Sequence, residues 1–327
     1  MKLQSYSKKV TASLVLILLV FGVGAISNNI SLVHAVGGGG QYKFITKLGS
    51  LGTGNGQFQN VGHIAADSKT GNIFVGDQGN ERIQKFDSNA KFITKWGSLG
   101  TGNGQLNHTE GIAVDSNTGN VFVGDTGNDR IQKFSADGKF ITKWGSLGTG
   151  NGQFNNTGGV AIDPKTSNVY VVDTDNNRVE KFDSNGKFIA KWGSLGSGNG
   201  QFTDAGDVAI DPKTSNVYVV DKMSDRIEKF TADGKFLSQW GSKGAADGQF
   251  KHPEGIAIDS SGNIYVVDKD NNRVEKFDSN GKFIAKWGSL GAGNGQFNDG
   301  KGIAVDSAGR VYVSDKGNNN IQVFAPA

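Results

Sequence analysis

The chain has 327 residues, 50 of them glycine and none cysteine, so a large core is possible while disulfides, thiolate zinc sites and cysteine nucleophiles are excluded. Its 34 basic and 31 acidic side chains differ by three, and Lys2, Lys8 and Lys9 at the start account for that excess. The rest is neutral, without the basic surplus on which nucleic-acid affinity depends, which argues against a nucleic-acid partner.

The first 35 residues combine those lysines with the apolar run Thr11 to Ile26 and contain no acid, the layout of an export signal. Val33 and Ala35 provide the small-residue pair that places cleavage after Ala35. Residues 1–35 are therefore expected to be a signal peptide and 36–42 a Gly-rich linker, leaving the protein secreted or at the cell surface. Membrane association is expected only through an uncleaved leader, whose apolar run is short against the ~20 residues of a spanning helix.

From Lys43 onward the sequence repeats, opening again at Lys91, Lys139, Lys187, Lys235 and Lys282. Each copy holds four runs of alternating apolar and polar residues, clearest in GIAID, NIYVVD, RVEKF and KFIAKW between Gly255 and Trp287. Side chains on a strand face opposite sides in turn, so these read as four short strands, with Asp, Asn and Gly supplying tight turns between them. A lone four-stranded unit cannot bury both faces, but a ring of such units can. The repeats predict an all-β, six-bladed β-propeller over 43–327.

The copy GIAVDSNTGNVFVGDTGNDRIQKF at Gly111 to Phe134 resembles the NHL repeat, and the resemblance covers all six copies. It implies a six-bladed NHL-type propeller. It implies no single function, because the family includes enzymes, RNA-binding modules and protein-binding sensor domains.

The two ends complement each other: the last copy stops after IQVF at Ile321 to Phe324, lacking its outermost strand, while the first opens on the extra strand Lys43 to Leu48. That segment is expected to complete the last blade and close the ring, removing two unpaired sheet edges.

Residues shared by the copies read as architecture. Asp77, Asp125, Asp173, Asp221 and Asp268 each precede an Arg by five positions, which predicts a hairpin ion pair, while in the last copy Asn320 replaces the Arg that would follow Asp315. Trp96, Trp144, Trp192, Trp240 and Trp287 occupy one position, with Leu48 in the sixth place, and read as packing between blades. The GNGQF segments read as connections from an outer strand to the next inner one.

Departures from the repeat need a cause other than packing, and they concentrate just before the inner strand. His108 and Glu110 match His252 and Glu254, and His63 matches Asp207, each match lying across the ring. Amidating lyases of NHL-like fold hold a metal with histidines from separate blades, yet His63 is three positions out of register with His108 and His252, so no catalytic residue carries over. His63, His108 and His252 remain candidate ligands for zinc, with calcium the other possible ion and no cofactor otherwise expected. Lys222, Lys269 and Lys316 make one half of the same face basic, and Asn107 and Asn155 fit the N-glycosylation pattern. The expected function is a monomeric binding module that recognises a protein, peptide or glycan through this variable face. The alternative is a metal-dependent enzyme, amidating-lyase-like or a lactonase-like hydrolase, with its site at the mouth of the central channel.

Overall fold

In the computed structural model, which describes residues 42–327, strands numbered β1 to β24 in chain order form six four-stranded antiparallel sheets. Blade 1 runs outward through β2 (Val61–Ala66), β3 (Ile73–Asp77), β4 (Arg82–Phe86) and β5 (Phe92–Trp96), and blades 2 to 5 repeat that order. The expected signal peptide and all but the last residue of the linker lie outside the described residues.

Alternation along each strand places successive side chains in different inter-blade cores. On β3, Ile73 and Val75 join Tyr312, Ile321 and Val323 of blade 6, while Phe74 joins Ile112, Val121, Val123 and Phe134 of blade 2. Trp96 packs edge-on to Phe74 of its own blade at 6.2 Å and against Phe134 of the next at 5.9 Å. Its indole also covers the outer hairpin turn of blade 2 at Gly138, where φ is +82° and a Cβ would overlap the ring. Trp144 with Gly186, Trp192 with Gly234 and Trp240 with Gly281 repeat this arrangement.

Closure is as the chain ends predict. β1 (Tyr42–Leu48) pairs antiparallel with β24 (Asn320–Pro326), from Tyr42 opposite Pro326 to Leu48 opposite Ile321, completing the sheet of β22 (Gly300–Val305) and β23 (Val311–Asp315). One boundary changes: Tyr42, assigned above to the linker, is the first residue of the propeller and is buried. Blade 6 has no outer hairpin turn to cover Trp287, and Tyr42 takes its place. Its ring stacks on Trp287 at 4.2 Å, and its hydroxyl hydrogen-bonds Tyr265 at 2.8 Å and lies 3.0 Å from Lys276 Nζ.

The Asp–Arg pairs bind more than the hairpin. Arg82 Nε donates to Asp77 Oδ2 at 2.7 Å, and its other nitrogens donate to the carbonyls of Thr53, Gly54 and Gln57. Asp77 Oδ1 in turn accepts the amide of Gln59 at 2.8 Å. One buried ion pair thus fixes both the hairpin turn and the connection arriving from the neighbouring blade, on a face that we call the upper face.

Candidate functional site: the channel mouth

Each inner strand breaks register near its start. In blade 1 Val61 faces Asp77 and Ile64 faces Val75, so Gly62 and His63 together oppose one residue, a β-bulge. Blades 2 to 6 have the same bulge, at Glu110–Gly111, Gly158–Gly159, Gly206–Asp207, Glu254–Gly255 and Lys301–Gly302. A bulge re-aims side chains that regular pairing would send to alternate faces. Here it brings two consecutive residues per blade to the channel mouth.

At the second bulge position the inner strands crowd together: a Cβ on Gly302 would lie 2.6 Å from His63 Cα, and one on Gly111 2.5 Å from the carbonyl of Gly158. Glycine therefore holds four of the six places. The two side chains present, His63 and Asp207, come from opposite blades and meet, with Nε2 3.7 Å from Oδ2. The match across the ring noted in the sequence is a physical contact across the axis.

His63 is 7% exposed, its Nδ1 is 3.5 Å from Glu110 Oε2, and neither ring nitrogen has a hydrogen-bond partner among the described residues. Asp207 Oδ2 accepts the amide of Ile256 at 3.0 Å and Oδ1 that of Val208 at 2.9 Å. Burial raises the Asp207 carboxyl above the ordinary range, and the His63 ring opposes that rise only in part. Burial would raise Glu110 too, but the hydrogen bond from His108 and the charges of Lys301 and His63 overcome it and hold Glu110 well below the ordinary range. Lys301 Nζ reaches Glu110 from two blades away at 2.8 Å.

The other candidates divide. His108 is exposed, at 3.2 Å from Glu110, and His252 is 3.7 Å from Glu254, each turned to the glutamate two residues further on rather than to a common centre. Among the described residues no three His, Asp or Glu side chains are arranged to hold a metal ion. The register of these two histidines has a backbone cause: both have positive φ (54° and 53°), and their amides donate to Glu81 and Asp225 of the preceding blade. Asn60, Asn156 and Asp299 occupy the same left-handed position, which Asn, Asp and His tolerate better than most residues.

Lys222 pairs with Asp204 at 3.1 Å, and Lys269 with Glu254 and Asp299 at 3.3 and 3.2 Å, so two of the three lysines that made one half of the face basic are neutralised locally. Asn107 and Asn155 are half-buried and donate their amides to Asp125 and Asp173, while Thr109 and Thr157 of the same motifs are buried strand residues.

His63, Glu110, Glu254, Lys222 and Lys301, with Asn156 and Thr174, line a cavity of about 120 Å³, floored by Gly158 and Gly206. Of these, Lys301, Asn156 and Thr174 were not among the residues singled out from sequence. Lys301 was legible in principle, because it holds the repeat position of Glu110 and Glu254.

Three stretches, 106–134, 250–277 and 297–324, match the NHL repeat family, and 165–241 match the DUF5128 family, a 6-bladed beta-propeller. Among solved structures, a gluconolactonase from Xanthomonas campestris is 14% identical, with 93% of this chain and 97% of that one covered at a TM-score of 0.61. An auxiliary nutrient binding protein from Bacteroides thetaiotaomicron is 14% identical (86% and 72% covered, TM-score 0.62), and virginiamycin B lyase from Staphylococcus aureus 11% (81% and 80%, 0.56). At such identities the likeness is one of fold. No curated protein matches the chain. With three of its stretches matched to the NHL repeat and its ring of six four-stranded blades closed, the chain is a six-bladed β-propeller that carries NHL repeats.

Proposed function

We propose that this is an exported binding module that recognises a protein, peptide or glycan through its upper face, seating one small polar group of that partner in the channel mouth. The size of the cavity carries this reading. At about 120 Å³ it is well below the roughly 300–1,000 Å³ that encloses a whole small-molecule ligand, yet ample for an ammonium, amide or hydroxymethyl tip. The unpartnered His63 nitrogens and the Glu110 and Glu254 carboxylates supply the polar partners. The connections between blades also expose one leucine each in five places, Leu51, Leu99, Leu147, Leu195 and Leu290, each 66–71% exposed.

A second reading rests on His63 itself, a buried imidazole between two carboxylates and beside an open cavity, the setting of a general base. It makes the protein a hydrolase or lyase, in keeping with the activities named for two of its fold relatives.

Gly206→Ala tests the first reading, since Gly206 lines the cavity and its added methyl first meets the flexible Lys222 chain, 2.7 Å away. Peptide and glycan arrays probed with the purified protein should give ligands whose binding falls at least tenfold in Gly206→Ala and Glu110→Gln. Ligands bound equally by both variants would show that the channel mouth is not the site. Turnover of a lactone substrate, lost in His63→Ala, would favour the enzyme instead.

A further inference from the structure

The sixth inter-blade seam, between blades 6 and 1, is built differently from the others. In the seams between blades 1 and 5, a lysine (Lys85, Lys133, Lys181 or Lys229) lies over an aromatic ring and donates to a carbonyl in the outer turn of the next blade. A tryptophan closes each of these seams over the glycine of that turn. In the sixth seam Leu48 stands in place of the tryptophan, Val323 in place of the lysine, and Ala90, at φ +64°, in place of the glycine.

The consequence is a cavity of about 290 Å³, bordered by Ile45, Thr46, Ala90, Tyr312 and Val323, with Arg310 at its edge. Arg310 reaches the turn from the hairpin just before β23, donating from Nη1 to the Ser88 carbonyl at 2.7 Å and from Nε to Asp306 at 2.6 Å, 5.8 Å over the Tyr312 ring. Its Nη2 donates to nothing among the described residues.

We infer that this seam is a binding site for a planar aromatic carboxylate. The neighbouring seams show what the space accepts, a flat indole edge-on to the ring at the Tyr312 position. A free ring is not tied to a strand, so it can lie one methyl thickness further out than a tryptophan would, above Ala90 and into the space that lysine fills elsewhere. Its carboxylate then meets the open Nη2 of Arg310 in a single charge-assisted hydrogen bond. The site is independent of the channel mouth, since Ser88 and Ala90 lie in the outer turn at the opposite end of the strands.

Two variants close the cavity by copying the other seams: Leu48→Trp with Ala90→Gly restores the indole and its glycine, and Val323→Lys restores the lysine. Calorimetry and saturation-transfer NMR on the full chain should show indole-3-acetate binding at least roughly tenfold more tightly than indole. Arg310→Gln should erase that preference, and both closing variants should abolish binding. The peptide Gly-Gly-Trp in parallel shows whether a free acid or an aromatic chain terminus is preferred. No saturation transfer to indole-3-acetate at millimolar concentration, or unchanged affinity in folded Val323→Lys, would overturn the inference.

Discussion

Replacing Glu180 by glutamine should stabilise the protein, and more so as the pH rises. Blades 1, 2 and 6 carry Gln84, Gln132 and Gln322 at this buried place, where blades 3, 4 and 5 carry Glu180, Glu228 and Glu275. Gln84 accepts the amide of Gly56 through Oε1 at 2.9 Å and donates through Nε2 to the Gln57 carbonyl and the Asp77 carboxylate, at 2.6 and 3.0 Å. Glu180 keeps only the acceptor half, taking the amide of Gly152 at 2.8 Å. Its Oε1 lies 2.9 Å from Arg178 Nη2 but off the line of any N–H, because Nη2 already donates to the carbonyls of Gly150 and Gln153. Two carboxylates, Asp173 and Glu180, thus share one guanidinium in a buried site.

Burial, only partly offset by Arg178, pushes Glu180 up from 4.5 to about 7, with Glu275 also near 7 and Glu228 near 6. A folded value above the unfolded one means that this group's stabilisation is complete below 4.5 and is lost as the pH rises through about 7. At about 1.4 kcal/mol per tenfold, ionising Glu180 in the folded state costs roughly 3 kcal/mol as an upper figure. Glu180→Gln is a neutral isostere that restores the missing donor. Urea midpoints at pH 8 should therefore rise by about 1–3 kcal/mol of stability, and at pH 5 by much less. The triple replacement in blades 3, 4 and 5 should gain most, and Gln84→Glu should lose stability at pH 8. A variant less stable than the parent at pH 8, or a gain equal at both pH values, would refute the reasoning.

Tyr42→Ala should cost about 3–5 kcal/mol, because it removes the ring that covers Trp287; denaturant unfolding measures the loss, and an unchanged midpoint would mean that closure depends on strand pairing alone. Arg130→Met leaves Asp125 buried without its cation and frees three loop carbonyls, which should cost about 3–5 kcal/mol in the same assay. Asp207→Asn removes a carboxyl that burial raises above the ordinary range, so the variant's stability relative to the parent should rise with pH, as urea unfolding at pH 5 and pH 8 would measure. A variant whose stability relative to the parent is the same at both pH values would show that the Asp207 carboxyl carries no such cost.

The ring, its blade order and its closure were legible because they follow from rules that act along the chain: period-two alternation, turn residues, and an odd strand at each end needing a partner. The channel mouth was legible only in part. His63 and Asp207 stood out because they break the glycine pattern, and their opposition across six blades followed from counting. What the sequence does not display is the bulge, which sends two neighbouring residues to the same opening and so hides Lys301 behind an ordinary Lys-Gly pair. For His108 and His252 residue type alone does not separate ligation from backbone demand: both sit at a left-handed position that histidine tolerates, and each faces the glutamate two residues further on. The seam cavity lay hidden because Leu48, Ala90 and Val323 are unremarkable singly and have meaning only against their counterparts in other blades.

The direction of β1 carries a consequence for how the molecule is presented. Leu48 pairs beside Ile321, just after the turn on the upper face, so Tyr42 and Pro326 end together at the lower one. Both tails of the ring thus leave from the side away from His63 and Glu110. A support attached through either tail leaves the charged opening pointing into the surroundings, and two modules joined through their tails would sit back to back with their openings outward. His63 and Asp207 meet across the axis at this opening, so a group seated there as proposed would enter and leave by the upper face.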